Sequence, residues 1–196
     1  MVAVKGAEAD VEFDKDNGVV SKKRLPKRYR IRQLDEIIRK ERTRSEAKIM
    51  ADARKVGVPT PIILDVTDDT IKMELIDGYT LKKTVDEMLI ERVGEHVGRM
   101  HKRGIIHGDL TTANMIYSSS EDVVYLIDFG LARYDEEVEG RGVDIHVLFQ
   151  MLHSTYEDYD RLKESFIKGY KKIFDKAEEV LDRVKEIEER GRYKHE

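Results

Sequence analysis

Hydrophobic and polar positions divide the chain into a strand-rich N-terminal part and a helix-rich remainder. Alternation over the first thirty residues predicts short strands, and Asp16-Asn17-Gly18 is typical of a hairpin turn between two of them. Apolar residues then recur at helical spacing from Gln33 to Val56, and Gly57 and Pro59 end that pattern. The sequence therefore predicts a small sheet followed by one long helix.

The remaining pattern predicts two more strands and then mostly helices. An apolar helical face runs from Val85 to Met100 and ends near Gly104. Other predicted elements are strands over 62–66 and 71–75, a strand–turn–strand unit over 105–129, a helix over 143–153, and one or two helices within 158–190. This order predicts an α+β fold with a β-rich N-lobe (1–76), a mainly helical C-lobe (77–196) and a cleft near residues 73–78.

Composition restricts the class of protein. The chain has 196 residues, and a hydrophobic fraction of 40% is enough to bury a core. It has no cysteine, which is typical of a reducing cytosol. Its first five residues lack the apolar run of a signal peptide, and no stretch is long and apolar enough to span a membrane. We expect a cytoplasmic protein without a membrane segment.

Charge is unevenly distributed along the chain. The net charge is −4, but residues 22–44 carry eleven Lys or Arg against three acids, which makes this basic block +8. Such a block can attract nucleic acid or an acidic partner, and it can equally be a solvated helix face. The sequence alone leaves both readings open.

The strongest chemical signal is a pair of motifs. His107-Gly108-Asp109-Leu110-Thr111-Thr112-Ala113-Asn114 is followed fourteen residues later by Asp128-Phe129-Gly130. Asp109 could orient or deprotonate a hydroxyl nucleophile, while Asn114 and Asp128 supply the oxygen ligands that Mg²⁺ prefers. In this order and spacing the motifs match the catalytic loop and the metal-binding loop of protein kinases.

The other parts of a kinase site can be sought by their roles. A lysine on an early strand should hold the α- and β-phosphates and pair with a helix glutamate, which indicates Lys22 and Glu46. A surface ion pair is the alternative for Glu46. The loop that covers the phosphates would be Lys5-Gly6-Ala7-Glu8-Ala9, which keeps one glycine where ordinary kinases have three. Because Glu8 adds negative charge, it could pair with a lysine or contact a metal.

Two departures from ordinary protein kinases concern regulation. Thirteen residues separate Gly130 from Asp144, and no Ala-Pro-Glu motif follows. Gly108 stands where kinases regulated through their activation loop have arginine, so a phosphorylation switch is not expected. Asp144 could hydrogen-bond the catalytic-loop backbone or act as a helix N-cap.

Several further motifs are jointly distinctive of one family. The chain resembles the small atypical kinase of the KEOPS (EKC) complex, the PRPK-type family, over essentially its whole length, and the ending resembles archaeal members. The motifs are 6–9, 25–30, Arg42-Thr43 with Glu46-Ala47, 107–114, 126–131, 142–144 and 190–193.

The resemblance implies an atypical serine/threonine kinase with ATPase activity that supports threonylcarbamoyladenosine formation on tRNA. Its implied partners are a catalytic tRNA-modifying subunit, a small regulatory subunit on the N-lobe, and tRNA. ATP and Mg²⁺ are the implied cofactors, with Asp109 as the base. Lys22 and Glu46 serve the phosphates, Asn114 and Asp128 the metal, and the hinge Met73, Glu74 and Ile76 the adenine; RNA or partner contacts are assigned to Arg28, Arg30, Arg32, Arg190 and Arg192.

Two alternatives remain at this stage. A small-molecule or RIO-like phosphotransferase shares the His-Gly-Asp form, but it needs an insertion or subdomain for the acceptor. A non-catalytic kinase-fold scaffold has no need of Lys22, Asp109, Asn114 and Asp128 together.

Overall fold

The computed structural model describes residues 2–6 and 8–192. The N-terminal part is an antiparallel five-stranded sheet in the order β1-β2-β3-β5-β4, covered by one long helix. Its elements are β1 (Val2–Lys5), β2 (Ala9–Asp14), β3 (Val19–Arg24), α1 (Arg32–Lys55), β4 (Ile63–Val66) and β5 (Thr70–Glu74).

The predicted hairpin lies between β2 and β3. Asp14 accepts hydrogen bonds from the backbone N–H of Asn17 at 3.1 Å and from its side-chain amide at 2.8 Å. Gly18 follows with φ of 64°, a left-handed conformation that glycine adopts at little cost. This local chemistry fixes the β2–β3 register, which pairs Val11 with Lys22.

Helix α1 agrees with the predicted helix to within one residue at each end. It buries one face against the sheet and ends at Lys55, two residues before Gly57, where φ is 83°. The buried face includes Ala47, Met50 and Ala53, and it also includes the charged residue Glu46. A carboxylate on the buried face of a helix requires partners, and the cleft supplies them.

The C-terminal part contains two small sheets and four helices within the described residues. Its elements are β6 (Tyr79–Thr80), α2 (Glu87–Lys102), β7 (Ile105–Ile106), β8 (Met115–Ser118), β9 (Val123–Leu126), β10 (Arg133–Tyr134), α3 (Val138–Thr155), α4 (Tyr159–Ile173) and α5 (Ala177–Arg192). A 3₁₀ turn covers Thr112–Asn114. The core joins α2, α3, α4 and α5 through Val93, Val97, Phe149, Phe166 and Val184.

Close packing of α2 against α4 depends on glycine. A Cβ on Gly169 would lie 1.9 Å from the carbonyl oxygen of Glu91, and one on Gly94 would lie 2.2 Å from that of Phe166. Neither distance is possible for a real side chain, so both glycines are needed where the helices cross.

Two sequence-based expectations about local structure are wrong. Helix α3 begins at Val138, five residues before the predicted start, so Asp144 lies inside the helix and not at its N-cap. The sequence alternation of Arg28, Arg30 and Arg32 would place them on one face if the stretch were extended, but the stretch is a turn that leads into α1. The division into lobes at residue 76 stays a prediction. Over residues 2–6 and 8–192, no helix is long and apolar enough to cross a membrane.

Candidate nucleotide and metal site

A cavity of about 650 Å³ lies between the N-terminal sheet and the C-terminal part. Apolar side chains from β2, β3 and α1 form one wall, and Ile116 and Ile127 form the other. The segment 73–78 closes the back of the cavity, so the predicted hinge residues Met73, Glu74 and Ile76 all line it. Gly78 passes so close to the neighbouring strand that a Cβ there would lie 2.3 Å from the Tyr117 carbonyl oxygen.

Lys22 lies at the inner end of this cavity between two carboxylates. Its Nζ is 2.6 Å from Glu46 Oε1 and 2.7 Å from Asp128 Oδ1. Burial opposes the ammonium charge, but Glu46 and Asp128 outweigh it, so the pKa of Lys22 is raised. Glu46 is buried, which rules out the surface ion pair as its alternative. Lys22 pairs with Glu46 as predicted, and the contact between Lys22 and Asp128 was not predicted.

Asp128 follows β9 in a left-handed conformation, with φ of 59°. Burial alone would raise the pKa of its carboxyl group, but Lys22 outweighs burial and the pKa is lowered. The Gly130 N–H donates to Oδ1 at 3.2 Å. A φ of this sign is uncommon outside glycine and often marks a functional position. Asp128 therefore faces the cleft in its ionised form.

The catalytic loop holds Asp109 and Asn114 together. The Asn114 side-chain amide donates to Asp109 Oδ2 at 2.8 Å and to the Asp109 carbonyl oxygen at 2.9 Å. His107 connects this loop to β9, since its Nε2 lies 3.1 Å from the Ile127 carbonyl oxygen and its Nδ1 lies 3.3 Å from the Asp109 N–H. Because the Asp109 N–H donates to Nδ1, Nε2 is the nitrogen that donates to the Ile127 carbonyl oxygen.

Asp144 anchors the catalytic loop from helix α3. Its Oδ2 accepts the His107 N–H at 2.9 Å, and its Oδ1 accepts the Gly108 N–H at 2.8 Å. His101 Nε2 lies 3.3 Å from the same carboxylate. Burial disfavours the charged form, but His101 and the backbone donors outweigh it and lower the pKa of Asp144. The predicted hydrogen bond from Asp144 to the catalytic-loop backbone is confirmed.

Gly108 has a steric reason to be glycine. Its φ is 81°, and a Cβ there would lie 2.5 Å from the Leu131 carbonyl oxygen. The residue after the metal-binding loop therefore packs directly on the catalytic loop. An arginine could not occupy position 108 without moving that backbone.

Glu8 pairs with basic residues of the N-terminal part. Its carboxylate lies 2.9 Å from Lys27 Nζ and 3.6 Å from an Arg42 Nη atom. The Lys27 contact comes first among the causes that lower the pKa of Glu8. Of the predicted phosphate loop, Ala7 lies outside the described residues, and Lys5, Gly6, Glu8 and Ala9 do not line the cavity. Their contact with nucleotide stays a prediction.

Much of the basic block is engaged by acids. Arg30 and Arg39 pair with the buried Asp35, and Arg32 pairs with Glu36. Lys40 and Arg44 pair with Asp68 at the β4–β5 turn. Among the C-terminal cations, Arg190 lies 3.7 Å from Glu186, and the side chain of Arg192 lies outside what the structure describes. The local field is therefore weaker than the count of Lys and Arg suggests.

The donor set fits a hard cation that takes most of its ligands elsewhere. No group of three or more His, Cys, Asp or Glu side chains able to hold a metal occurs within the described residues. Asp128, which lines the cavity, offers a carboxylate, and Asn114, which does not line it, offers an amide oxygen. Mg²⁺ bound beside nucleotide phosphates usually takes one or two protein carboxylates, so the site is compatible with it.

Comparison with known proteins identifies the family. The family model described as "RIO1: RIO domain" matches residues 7–143. The chain is 49% identical over 188 residues to a probable serine/threonine-protein kinase BUD32 homolog from Archaeoglobus fulgidus, covering 96% of this chain and 94% of that protein. This chain belongs to the RIO-domain family, among its Bud32 members. The PRPK-type resemblance is thereby confirmed, and the RIO-like alternative shares its domain with this family.

Other relatives differ in length. The KEOPS complex subunit Bud32 of Pyrococcus abyssi is 41% identical, with 95% of this chain and 89% of that protein covered. A probable bifunctional tRNA threonylcarbamoyladenosine biosynthesis protein of Methanosarcina mazei is 49% identical over 191 residues, which cover 96% of this chain and 35% of that protein. The chain therefore spans about a third of the length of such bifunctional relatives.

A solved structure supports the fold. The Rio2 kinase–ADP/Mg²⁺–phosphoaspartate complex from Chaetomium thermophilum matches with a TM-score of 0.64 at 15% identity, over 96% of this chain and 70% of that chain. At this identity the likeness concerns the fold alone. The predicted α+β, protein-kinase-like fold is confirmed.

Sequence reasoning missed one charged member of the site. Arg24 is buried and pairs with Glu46 beside Lys22. The alternation of side chains along β3 could have predicted this position, because it places Arg24 on the same face as Lys22 and Lys23 on the opposite face. The apolar wall, which includes Val11, Phe13 and Met50, was missed because hydrophobic residues carry no mark of lining a ligand cavity.

Proposed function

We propose that this chain is an ATP- and Mg²⁺-dependent atypical serine/threonine kinase with ATPase activity that acts in a KEOPS-type complex. The observation that carries the proposal is the meeting of Lys22, Glu46 and Asp128 at one end of the cavity. These three groups are a cation, its positioning carboxylate and a metal-binding carboxylate, the set that phosphoryl transfer uses.

Each residue has a role that follows from its place. Lys22 would hold nucleotide phosphates, Asn114 and Asp128 would hold Mg²⁺, and the apolar walls with the hinge at 73–76 would take the adenine. Bound Mg²⁺ would supply charge neutralisation at the phosphates. Asp109, kept in place by Asn114, would orient the acceptor hydroxyl or water and accept its proton.

The relatives support the biological setting. Proteins named for the KEOPS complex and for threonylcarbamoyladenosine biosynthesis are 41% and 49% identical to this chain. The bifunctional relatives extend well beyond the matched part, which fits a partner activity carried there by the same chain. We therefore propose the catalytic tRNA-modifying subunit of KEOPS, a small regulatory subunit on the N-lobe, and tRNA as partners.

A free peptide is expected to be a poor acceptor. The segment between Gly130 and Asp144 is short, and Leu131 packs on Gly108, so little surface is left to align an extended substrate. We expect γ-phosphate from ATP to reach water or the chain itself, with transfer to exogenous peptides far below the roughly 1–100 s⁻¹ of typical kinases. Labelled ATP, with and without a generic serine/threonine peptide, measures this. Saturable, efficient peptide phosphorylation would contradict the expectation.

We propose RNA contact through the basic block, including Arg28, Arg30 and Arg32, with Arg190 and Arg192 at the C-terminal end. Phosphate contacts release counterions, so tRNA affinity should fall log-linearly with salt concentration. Replacing Arg28 and Arg32 by alanine should reduce the slope by up to about two. Arg30 is left intact because its removal would take a partner from the buried Asp35.

The matched control is Lys168→Ala with Lys172→Ala. It removes the same charge from helix α4, where both lysines pair with acids of α2. In binding titrations at several salt concentrations, the tRNA affinity of the control should depend on salt with the same slope as that of the parent. If both double variants and the parent show the same dependence of tRNA affinity on salt concentration, Arg28 and Arg32 are solvated surface residues that do not contact RNA.

A phosphotransferase for small molecules is the second candidate. It requires an acceptor pocket beside Asp109, and Asp109 lines none of the four cavities described by their residues. A non-catalytic scaffold would leave the buried charges around Lys22 without a use. The enzyme proposal accounts for both the cavity and the charges.

A further inference from the structure

Arg24 is a buried cation that lies beside the half-buried Lys22 and does not itself line the cavity. It follows Lys22 by two residues in β3, so both side chains leave the same face of the strand. The Arg24 side chain is 7% exposed, and one of its Nη atoms pairs with Glu46 Oε2. Lys22 pairs with the other oxygen, Oε1, so each oxygen of Glu46 has its own cation.

The two cations are bound differently. The Lys22 ammonium is shared between Glu46 and Asp128, whereas Glu46 is the only carboxylate that pairs with Arg24 among the described residues. If Asp128 turns toward a metal, the contact between Lys22 and Asp128 changes, but the contact between Arg24 and Glu46 can stay the same. Arginine suits such a fixed role because its guanidinium stays charged and offers several donors in one plane.

The position of Arg24 joins the elements that form the cleft. In the sheet register it lies opposite Ala9, at the end of the loop predicted to cover the phosphates. Its partner Glu46 belongs to α1. A Cβ on Gly130 would lie 3.5 Å from an Arg24 Nη atom and 3.4 Å from Lys22 Nζ, so both cations lie against the metal-binding loop.

We propose that Arg24 is a positioning residue that holds Glu46, and helix α1 with it, against the cleft whether or not Lys22 is bound to Asp128. Arg24 would then help to position the Lys22 ammonium group toward the phosphates, because it holds Glu46, which pairs with Lys22. The inference rests on the proposed function of the site and adds a residue to it. It also gives a reason why α1 can be held without a long activation segment.

Charge balance supports this assignment. Lys22, Arg24, Glu46 and Asp128 contribute two positive and two negative charges, and among these side chains only that of Asp128 is about half exposed. Without Arg24, one Glu46 oxygen would be buried without a cation, and Lys22 would be the sole cation for two carboxylates. The resulting competition would pull Lys22 and α1 away from their present geometry, because an unpaired buried charge is costly.

Steady-state kinetics separates positioning from stability. We expect Arg24→Gln to lower kcat for Mg²⁺-dependent ATP turnover by about 10- to 100-fold, as a misplaced catalytic group does, with a smaller change in KM. Arg24→Lys should recover part of the loss because it restores the cation. Glu46→Gln and the double variant Arg24→Gln/Glu46→Gln should be equally impaired, since Arg24 acts through Glu46.

Arg99→Gln is the matched control. Arg99 is a partly buried arginine of α2 that pairs with Glu95 at 3.4 Å, away from the cavity. It should lower stability without lowering kcat of the folded protein. The positioning role is wrong if Arg24→Gln keeps the parent's kcat. It is also wrong if Arg24→Gln and Arg99→Gln both lose activity only in proportion to the fraction of unfolded protein.

A measurement that needs no activity distinguishes this inference from the proposed function. Amide hydrogen exchange of the nucleotide-free protein should be faster over residues 43–50 of α1 in Arg24→Gln than in the parent. Arg99→Gln should leave that segment unchanged. If exchange is faster in Arg24→Gln but the parent turns over no ATP, Arg24 holds α1 and the enzyme proposal is wrong. Unchanged exchange in Arg24→Gln would overturn the role of Arg24.

Discussion

Replacing Asp128 by asparagine is expected to lower Mg²⁺-dependent ATP turnover by about 100- to 1,000-fold while the protein stays folded. The substitution removes the carboxylate that would hold the metal and leaves the size of the side chain unchanged. Asparagine is chosen because φ at this position is 59°, and asparagine tolerates left-handed backbone better than alanine does. Turnover at saturating ATP over a Mg²⁺ series measures the effect.

Asp122→Asn is the control for this substitution. Asp122 also has positive φ, at 54°, and it also pairs with a cation, Arg92, at 2.7 Å, but it lies outside the cavity. The Asp122 variant should keep the parent's turnover. A folded Asp128→Asn protein that hydrolyses ATP at the parent rate would show that Asp128 is not a metal ligand.

Replacing Asp144 by alanine is expected to cost about 3–5 kcal/mol of unfolding free energy, because each buried donor left without an acceptor costs about 1–3 kcal/mol. The variant would leave the His107 and Gly108 N–H groups and His101 Nε2 without their shared acceptor. Urea denaturation at neutral pH measures the loss. Because folding lowers the pKa of Asp144, its contribution is present above the unfolded pKa of about 3.9 and is lost as pH falls below it.

Asp182→Ala provides the comparison for stability. Asp182 is an exposed residue of α5 that pairs with Lys185 at 2.8 Å, and exposed pairs contribute at most about 1 kcal/mol. Similar denaturation midpoints for the Asp144 and Asp182 variants would mean that Asp144 does not anchor the catalytic loop. A large loss of unfolding free energy for the Asp144 variant alone would show that its contacts with the catalytic loop stabilise the fold.

Local chemistry made much of the fold and site predictable. The motifs at 107–114 and 128–130 are contiguous, so their order and spacing can be read directly from the chain. Helix α1 and the β2–β3 hairpin carry their own signals in apolar periodicity and in the Asp16-Asn17-Gly18 turn. In each case the residues that decide the structure lie close together in the sequence.

Tertiary pairing limited the prediction elsewhere. The ion pairs of the basic block depend on how α1 packs beside the β4–β5 turn, which brings Asp68 and Asp69 to Arg39 and Lys40. Helix α3 begins earlier than predicted because packing overrides the low helix propensity of Gly140 and Gly142. The pairing of Arg24 with Glu46 likewise joins residues 22 positions apart through the sheet and the helix.

ATP turnover by the purified chain, before and after chelation of Mg²⁺, tests the central claim most directly. The account predicts release or transfer of the γ-phosphate that stops with a chelator, returns when Mg²⁺ is restored, and is lost when Lys22 is replaced by methionine. Nucleotide turnover that ignores chelation or survives the loss of Lys22 would contradict it. A folded chain that neither binds nor consumes ATP at millimolar concentration would contradict it as well.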